Sequence, residues 1–532
     1  MNQMTPPPKI EIIPSSAPFS EAQRSWLNGF FAGLLSTDGP AALSAEQGAA
    51  VLQGPAGDGD DGEAPWHDQT LPIAERMKLA QGRPLRRRMM AAMAQQDCGQ
   101  CGYNCNDYSE AIAGKSEPRL NLCVPGGKET ARMLKALNEE LEKAPAAFAA
   151  APAVPSPAIT AEPGRSRDNP IAATFVSRRL LNKAGSEKET WHIDFDLTGC
   201  GLDYVVGDSF GIFARNDLGH VDQIIALLGA SHLTEVRGKT LREVLTTDVS
   251  LAPAPDSLFE LLSYLTGGAQ RDKARALAQG EDPDGDAATL DVMAVLQKFS
   301  NVRPHPEAFV EALEPLQPRL YSISSSHNAT PGKLSLTVDC VRYVIGKRKR
   351  LGLASIFLAE RIHPGDQVKV YVQKAHGFAL PQDPKTPIIM IGPGTGIAPF
   401  RAFLLDRKAT GAPGKNWLFF GHQRSDCDFF YADELNAMKT SGLLTRLSLA
   451  WSRDGEKKFY VQDRMRELGR EVWTWLAEGA NVYICGDAKR MAKDVERALV
   501  DIVAQFGARS TDEAVSFVGE LKKKGRFQQD VY

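Results

Sequence analysis

Cys98, Cys101 and Cys105 stand within eight residues as C-G-Q-C-G-Y-N-C, and Cys123 follows after seventeen intervening residues in C-V-P-G-G. Thiolates select soft metal centres, and four of them suit a [4Fe-4S] cluster or a structural zinc. Zinc sites usually pair two separate C-x-x-C knuckles, whereas here three ligands are local and one is remote. The spacing therefore favours a cluster and electron carriage; a zinc-stapled docking module without redox activity is the competing reading. A second group is Gly392-Pro393-Gly394-Thr395-Gly396, where backbone N–H groups can approach a pyrophosphate at the start of a helix. Ser452 and Arg453, then Lys458, Tyr460 and Gln462, supply hydroxyl, guanidinium, ammonium and amide groups after another strand. Such cations suit a ribose 2′-phosphate, hence NADPH rather than NADH. Arg319-Leu320-Tyr321-Ser322 sets an arginine and a ring on one face of a strand, fit for a flavin and its diphosphate, and Gly352 to Ser355 opens a helix as a second phosphate site. Asp530-Val531-Tyr532 places an aromatic where a frayed tail has no use for one, so a flat partner is expected beneath it.

These groups need three kinds of scaffold. Residues 19–36 place Trp26, Phe30 and Leu34 at helical spacing behind Ser20, an amphipathic helix that packs on its own core or on another subunit as a homo-oligomer contact. With the acidic, glycine-rich stretch after it, this forms segment 1–64. Residues 65–143 hold the cysteines and a helical run, and 144–167 are Ala/Pro-rich and read as a semi-extended tether. From 168 to 384 short β-like segments and Gly turns read as an antiparallel barrel, interrupted by helical periodicity over about 217–300. From 385 to 532, P-I-I-M-I-G-P-G-T-G-I-A-P-F opens a doubly wound α/β domain with a parallel sheet. The fold class is multidomain, α+β and α/β.

Composition bounds the remaining choices. A chain of 532 residues with 43 % hydrophobic content can bury several cores, and a net charge of −3 gives no basic field for nucleic acid. Arg83 to Arg88 and Lys347 to Arg350 are local basic runs that read as solvated surface. Of the eight cysteines, the four outside the motif (Cys200, Cys340, Cys427, Cys485) are scattered singly, which is no disulfide framework. The absence of a long apolar run or a signal-like start gives the expectation of a cytoplasmic protein with no membrane partner.

In this order the motifs resemble the ferredoxin-NADP reductase family, and within its diflavin branch the sulfite reductase flavoproteins. The likeness rests on V-R-Y, the P-I-I-M-I-G-P-G-T-G-I-A-P-F-R-A-F block, L-A-W-S-R-D, C-G-D-A-K-R-M and D-V-Y, and extends to Q-R-S-W-L-N-G-F-F near the start. It implies that Arg319, Tyr321 and Ser322 bind FAD, with Gly352, Ala354 and Ser355 on its diphosphate. Thr395 would meet the NADPH diphosphate, and Ser452, Arg453, Lys458, Tyr460 and Gln462 its adenosine half. Cys485 and Asp487 would flank the nicotinamide, and Tyr532 would cover the flavin; Ser322, Cys485, Asp530 and Tyr532 form the implied catalytic set. Cys485 also reads as an ordinary core residue at a strand end. That family normally carries an FMN-binding flavodoxin domain, and here the cysteine motif and tether stand in its place. The motif itself is similar to the small [4Fe-4S] domain of electron-transport and corrinoid iron-sulfur proteins, so Cys98, Cys101, Cys105 and Cys123 are expected to replace FMN. The implied acceptor is a separate sirohaem sulfite reductase haemoprotein; a nitrate or nitrite reductase, a ferredoxin or a P450 are the alternatives.

Overall fold

The computed structural model describes residues 64–68, 71–96, 101, 103–143, 162–346, 348–375, 377–488 and 490–532. The amphipathic helix expected over 19–36, most of the tether and Cys98 lie outside these residues.

The cysteine region is helical. Pro72 and Pro84 immediately precede the helices Ile73–Leu79 and Leu85–Ala92, where a fixed φ and a missing N–H cost nothing. Asn104 caps the helix Cys105–Ala113 by accepting from the Asp107 N–H at 2.7 Å, and the helix Gly127–Lys143 follows Cys123. Met89, Met90, Met93, Tyr108, Ile112, Leu134 and Leu137 fill its core. Methionines suit a core this small, because an unbranched thioether adapts to irregular gaps.

The next unit contains β1 (Ile171–Leu180), β2 (Thr190–Asp196), β3 (Ser209–Ile212), β4 (Glu235–Val236), β5 (Lys239–Thr240), β6 (Arg319–Ser322), β7 (Lys333–Asp339), β8 (Arg342–Ile345), β9 (Arg348–Leu351) and β10 (Gln367–Gln373). Six of these form an antiparallel sheet in the order β6-β3-β10-β1-β2-β7. A single bridge between Ile323 and Leu336 links the chain after one edge strand to the other edge strand. Phe175, Ile193, Phe195, Phe210, Leu336 and Val370 make its core. Between β3 and β6 lies a helical insertion with its own core, which includes Ile224, Leu258, Phe259, Leu262, Val295 and Phe309. Neighbouring strands β3 and β6 are thus joined through a separately packed body.

The last unit is a five-stranded parallel sheet of β11 (Ile388–Ile391), β12 (Asn416–His422), β13 (Arg446–Trp451), β14 (Asn481–Gly486) and β15 (Phe527–Val531), in the order β13-β12-β11-β14-β15. Both β11 and β14 are buried along their whole length, as expected of strands covered by helices on both faces. Strand order reverses at β11, which opens a crevice at the carboxyl ends of β11 and β14. The two sheet-bearing units are pinned at Tyr431: its hydroxyl lies 2.7 Å from Thr337 Oγ1 and 3.0 Å from the His192 ring, while Arg401 stacks 4.8 Å over its ring. Arg401 also donates to the Ser324 carbonyl at 2.7 Å, just beyond β6. Among the described residues no helix is long and apolar enough to cross a membrane.

Candidate functional site

β6 pairs with β3 in the register Ser209 to Ser322 and Ile212 to Arg319, and its alternation puts Arg319 and Tyr321 on one face. The Arg319 guanidinium donates to the carbonyls of Gln317 (3.1 Å) and Pro318 (3.3 Å), and burial pulls its pKa below the usual guanidinium value. Among the described residues it has no carboxylate in an ion pair, which leaves a desolvated cation suited to an anionic ligand. Gly352 has no room for a side chain: a Cβ would lie 2.6 Å from Ser355 Oγ and 2.7 Å from Val341 Cβ. Ser355 is buried, and its hydroxyl accepts from the Val341 N–H at 3.2 Å, with buried Ala354 beside it in the short helix Leu353–Ile356.

Where β6 meets the parallel sheet, three strands from the two units bring their side chains together. Ser322 Oγ donates to Asp530 Oδ2 at 2.5 Å, and Cys485 Sγ stands 3.6 Å from the same oxygen. Cys485 and Asp530 are directly paired in the β14 to β15 register, so their proximity is fixed by the backbone. Burial pushes the Asp530 carboxyl above the usual carboxylate range, while its Ser322 and Cys485 contacts pull it back; the fully buried Cys485 thiol is pushed well up by the same burial and by Asp530. Tyr532 is half-exposed, with its hydroxyl 2.7 Å from Thr395 Oγ1 and its N–H on the Gly486 carbonyl at 3.0 Å. Asp487 accepts from the N–H groups of Arg490 (2.7 Å) and Met491 (3.1 Å), so it organises the start of the helix Met491–Phe506 as well as facing the crevice.

The crevice itself is a cleft of about 420 Å³ over the carboxyl ends of the parallel strands, and Gly394, Ser452, Tyr460, Gln462 and Asp487 line it. Two residues beyond Gly394, Gly396 has no room for a side chain: a Cβ would lie 2.1 Å from the backbone oxygen of Cys485. Gly396→Ala should therefore cost about 1–3 kcal/mol, because backbone rather than a flexible side chain must move; a lowered Tm together with weakened nucleotide binding checks this. Arg453 is not among the lining residues. It pairs with Glu187 of the β1 to β2 connection, which holds that carboxyl below its usual range, and Lys458 is exposed beyond the cleft. His422, Lys188 and Arg490 also line the cleft and are absent from the sequence reading. Arg490 stood within the quoted C-G-D-A-K-R-M stretch, but Lys188 arrives from a distant hairpin with no local signal. Burial pulls the His422 imidazole below its usual value despite Asp428 at 3.2 Å.

Cys101, Cys105 and Cys123 line one small pocket with Met93, Tyr103, Tyr108 and Pro125. Gly126 has no room for a side chain beside them, since a Cβ there would lie 2.2 Å from Thr130 Oγ1 and 3.0 Å from Cys123 Sγ. Burial raises the Cys101 thiol to about 11 and pushes Cys123 up as well. Among the described residues, no group of three or more His, Cys, Asp or Glu is drawn together at metal-binding geometry.

Residues 163–357 match the family model of an FAD binding domain, and residues 390–497 that of an oxidoreductase NAD-binding domain. The chain carries a flavoprotein oxidoreductase module. The module is 42 % identical over 371 residues to the sulfite reductase [NADPH] flavoprotein alpha-component of Photorhabdus laumondii, covering 69 % of this chain and 61 % of that protein. The Escherichia coli protein of the same name is 42 % identical over 377 residues, with the same coverage. The chain thus spans about six-tenths of the length of the curated relatives it matches. Strands β1, β2, β3, β6 and β7 fall within the FAD binding match, with β10 beyond its end, and the crevice residues fall within the NAD-binding match except Lys188.

Proposed function

We propose that the protein takes electrons from NADPH through FAD to a [4Fe-4S] cluster on Cys98, Cys101, Cys105 and Cys123, and delivers them to a separate sirohaem sulfite reductase haemoprotein. The meeting of Ser322, Asp530 and Cys485 carries the first part of this reading: it joins the flavin-facing strand to the carboxyl edge of the nucleotide-binding sheet, where hydride would pass. When bound, the flavin supplies hydride acceptance and release of single electrons, and the cluster supplies one-electron carriage. The β6 strand, curled beside the opposite sheet edge as an antiparallel barrel, offers Arg319 to the FAD diphosphate and the Tyr321 ring to the isoalloxazine, with Gly352, Ala354 and Ser355 making the second phosphate contact. Tyr532, held by Thr395 and the Gly486 carbonyl, covers the place where nicotinamide would lie and must turn aside to admit it. Ser452, Tyr460 and Gln462 would hold the adenosine half in the cleft, with Thr395 on the diphosphate. Three of the four thiols line one pocket, which supports placing a thiolate-bound centre there.

Arg453 gains a specific role here. It would exchange Glu187 for the ribose 2′-phosphate, a dianion in place of a monoanion, so the nucleotide would release the exposed ion pair. Arg453→Ala should weaken NADPH about 10- to 100-fold while leaving NADH nearly unchanged, on the scale of a charge-assisted hydrogen bond. Comparison of KM for the two nucleotides reads this directly, and equal weakening counts against it.

The deciding test is anaerobic. Purified protein, analysed for iron and flavin, is titrated with NADPH while its visible and electron paramagnetic resonance spectra are followed, and a sirohaem haemoprotein with sulfite is then added. About four irons per chain, a reducible cluster signal and sulfide production support the proposal. A colourless cysteine region holding zinc sinks the cluster, and electron delivery without sulfide sinks the acceptor.

A further inference from the structure

The cysteine region and the helical insertion meet at a contact centred on one carboxylate and two cations. Asp256, the first residue of the insertion helix Asp256–Leu265, accepts from Arg132 twice, at 2.7 Å from Nε and 2.9 Å from Nη2, and from Lys128 Nζ at 3.4 Å. The Lys128 ammonium also lies 5.3 Å over the ring of buried Phe259, and Arg132 lies over Gly280, where a Cβ would meet Nη1 at 2.4 Å. Both cations belong to the helix Gly127–Lys143, which starts four residues after Cys123, so the contact stands next in sequence to the thiol pocket. A second contact lies nearby in sequence: Glu117, almost fully buried, grips Arg119 through both its oxygens (2.8 and 2.7 Å) and presents it to Asp168 at 3.2 Å. Arg167, next to Asp168, pairs with Gln317, whose carbonyl accepts from Arg319 of the flavin-facing strand.

We propose that the helical insertion is a docking platform for the cysteine-bearing domain, latched at Asp256 by Lys128 and Arg132, and that the latched position seats the thiol pocket against the Arg167–Gln317 approach to β6. The partner is therefore a segment of this same chain, recognised by one carboxylate facing two cations. Ion pairs with partly exposed side chains are weak and screened by salt, so the latch is reversible. An external acceptor reaches the thiol pocket by competing with the insertion, which makes the insertion a regulator of electron exit. This last consequence rests on the cluster proposed above; the docking itself does not.

The test needs no electron transfer. Full-length protein at low ionic strength is treated with a water-soluble carbodiimide, which joins a carboxylate to a touching lysine amine, and the digest is searched for a Lys128–Asp256 amide. That linkage is expected at low salt and should fall severalfold at about 1 M salt, where the Debye length is about 3 Å. In X-ray scattering, D256K should increase the radius of gyration, R132E should do the same from the other side, and the reversed set K128E, R132E and D256K should restore the compact value. Absence of the linkage at low salt, or a radius that neither single substitution changes, overturns the latch. Because zinc-loaded and iron-loaded protein should give the same linkage, failure here is separable from failure of the cluster, which iron analysis reads.

Discussion

Asp530→Ala is expected to slow reduction of bound FAD by NADPH about 100-fold or more in a stopped-flow experiment, with FAD content unchanged. The reason is the contact at 2.5 Å: Asp530 is the acceptor that orients the Ser322 hydroxyl, and the same oxygen faces the Cys485 thiol. A positioned acid or base at hydride transfer is worth factors of this size. The same carboxylate should be unfavourable for stability. Its folded pKa lies above the unfolded value of about 3.9, so the folded state binds the proton more tightly. Stability from this group therefore falls as pH rises from the unfolded pKa through the raised one, and at neutral pH the full penalty of a buried charge is in place. Asp530→Asn should then raise or preserve Tm at pH 7 while still slowing hydride transfer. In the native protein the rate should fall on the acid side at a pH above the usual carboxylate range, and Asp530→Asn should lose that limb. An Asn variant with native rate and native acid limb would refute the assignment.

Cys123→Ser is the second large effect. Cys105 opens a helix while Cys123 lies in the loop after it, and a Cβ on Gly126 would come within 3.0 Å of the Cys123 sulfur. Loss of one thiolate from a four-thiolate set should remove essentially all iron, and with it single-electron delivery to a haemoprotein, while NADPH-driven reduction of ferricyanide by the flavin continues. Iron analysis and the two assays on one preparation separate these outcomes. Retention of about four irons in the Ser variant would exclude Cys123 as a ligand.

Much of this arrangement was legible from local patterns. The run P-I-I-M-I-G-P-G-T-G is strand, turn and helix start in the structure because buried parallel strands are continuously apolar and the turn needs glycine, at positive φ for Gly394 and at close backbone approach for Gly396. The C-G-D strand and the D-V-Y strand were read separately, and only their parallel pairing shows that Cys485 and Asp530 face each other. Arg453 illustrates the limit: its cation was legible, but its partner Glu187 lies 266 residues away in another unit and no spacing rule reaches that far. Lys188 was missed for the same reason. The latch at Asp256 was equally invisible, since Arg132 reads as an ordinary solvated position on an amphipathic helix.

The insertion also sets an order of assembly. β3 and β6 are hydrogen-bonded neighbours, yet Ile212 and Arg319 are separated by the whole helical body. Closing so long a loop is entropically unfavourable if the loop is a coil, and much less so if it has already collapsed around its own core. Flavin-site completion thus waits on a domain that contributes no strand to the sheet of β3 and β6, and substitutions in that distant core, at Leu258 or Phe309, should surface as slow maturation rather than as altered affinity.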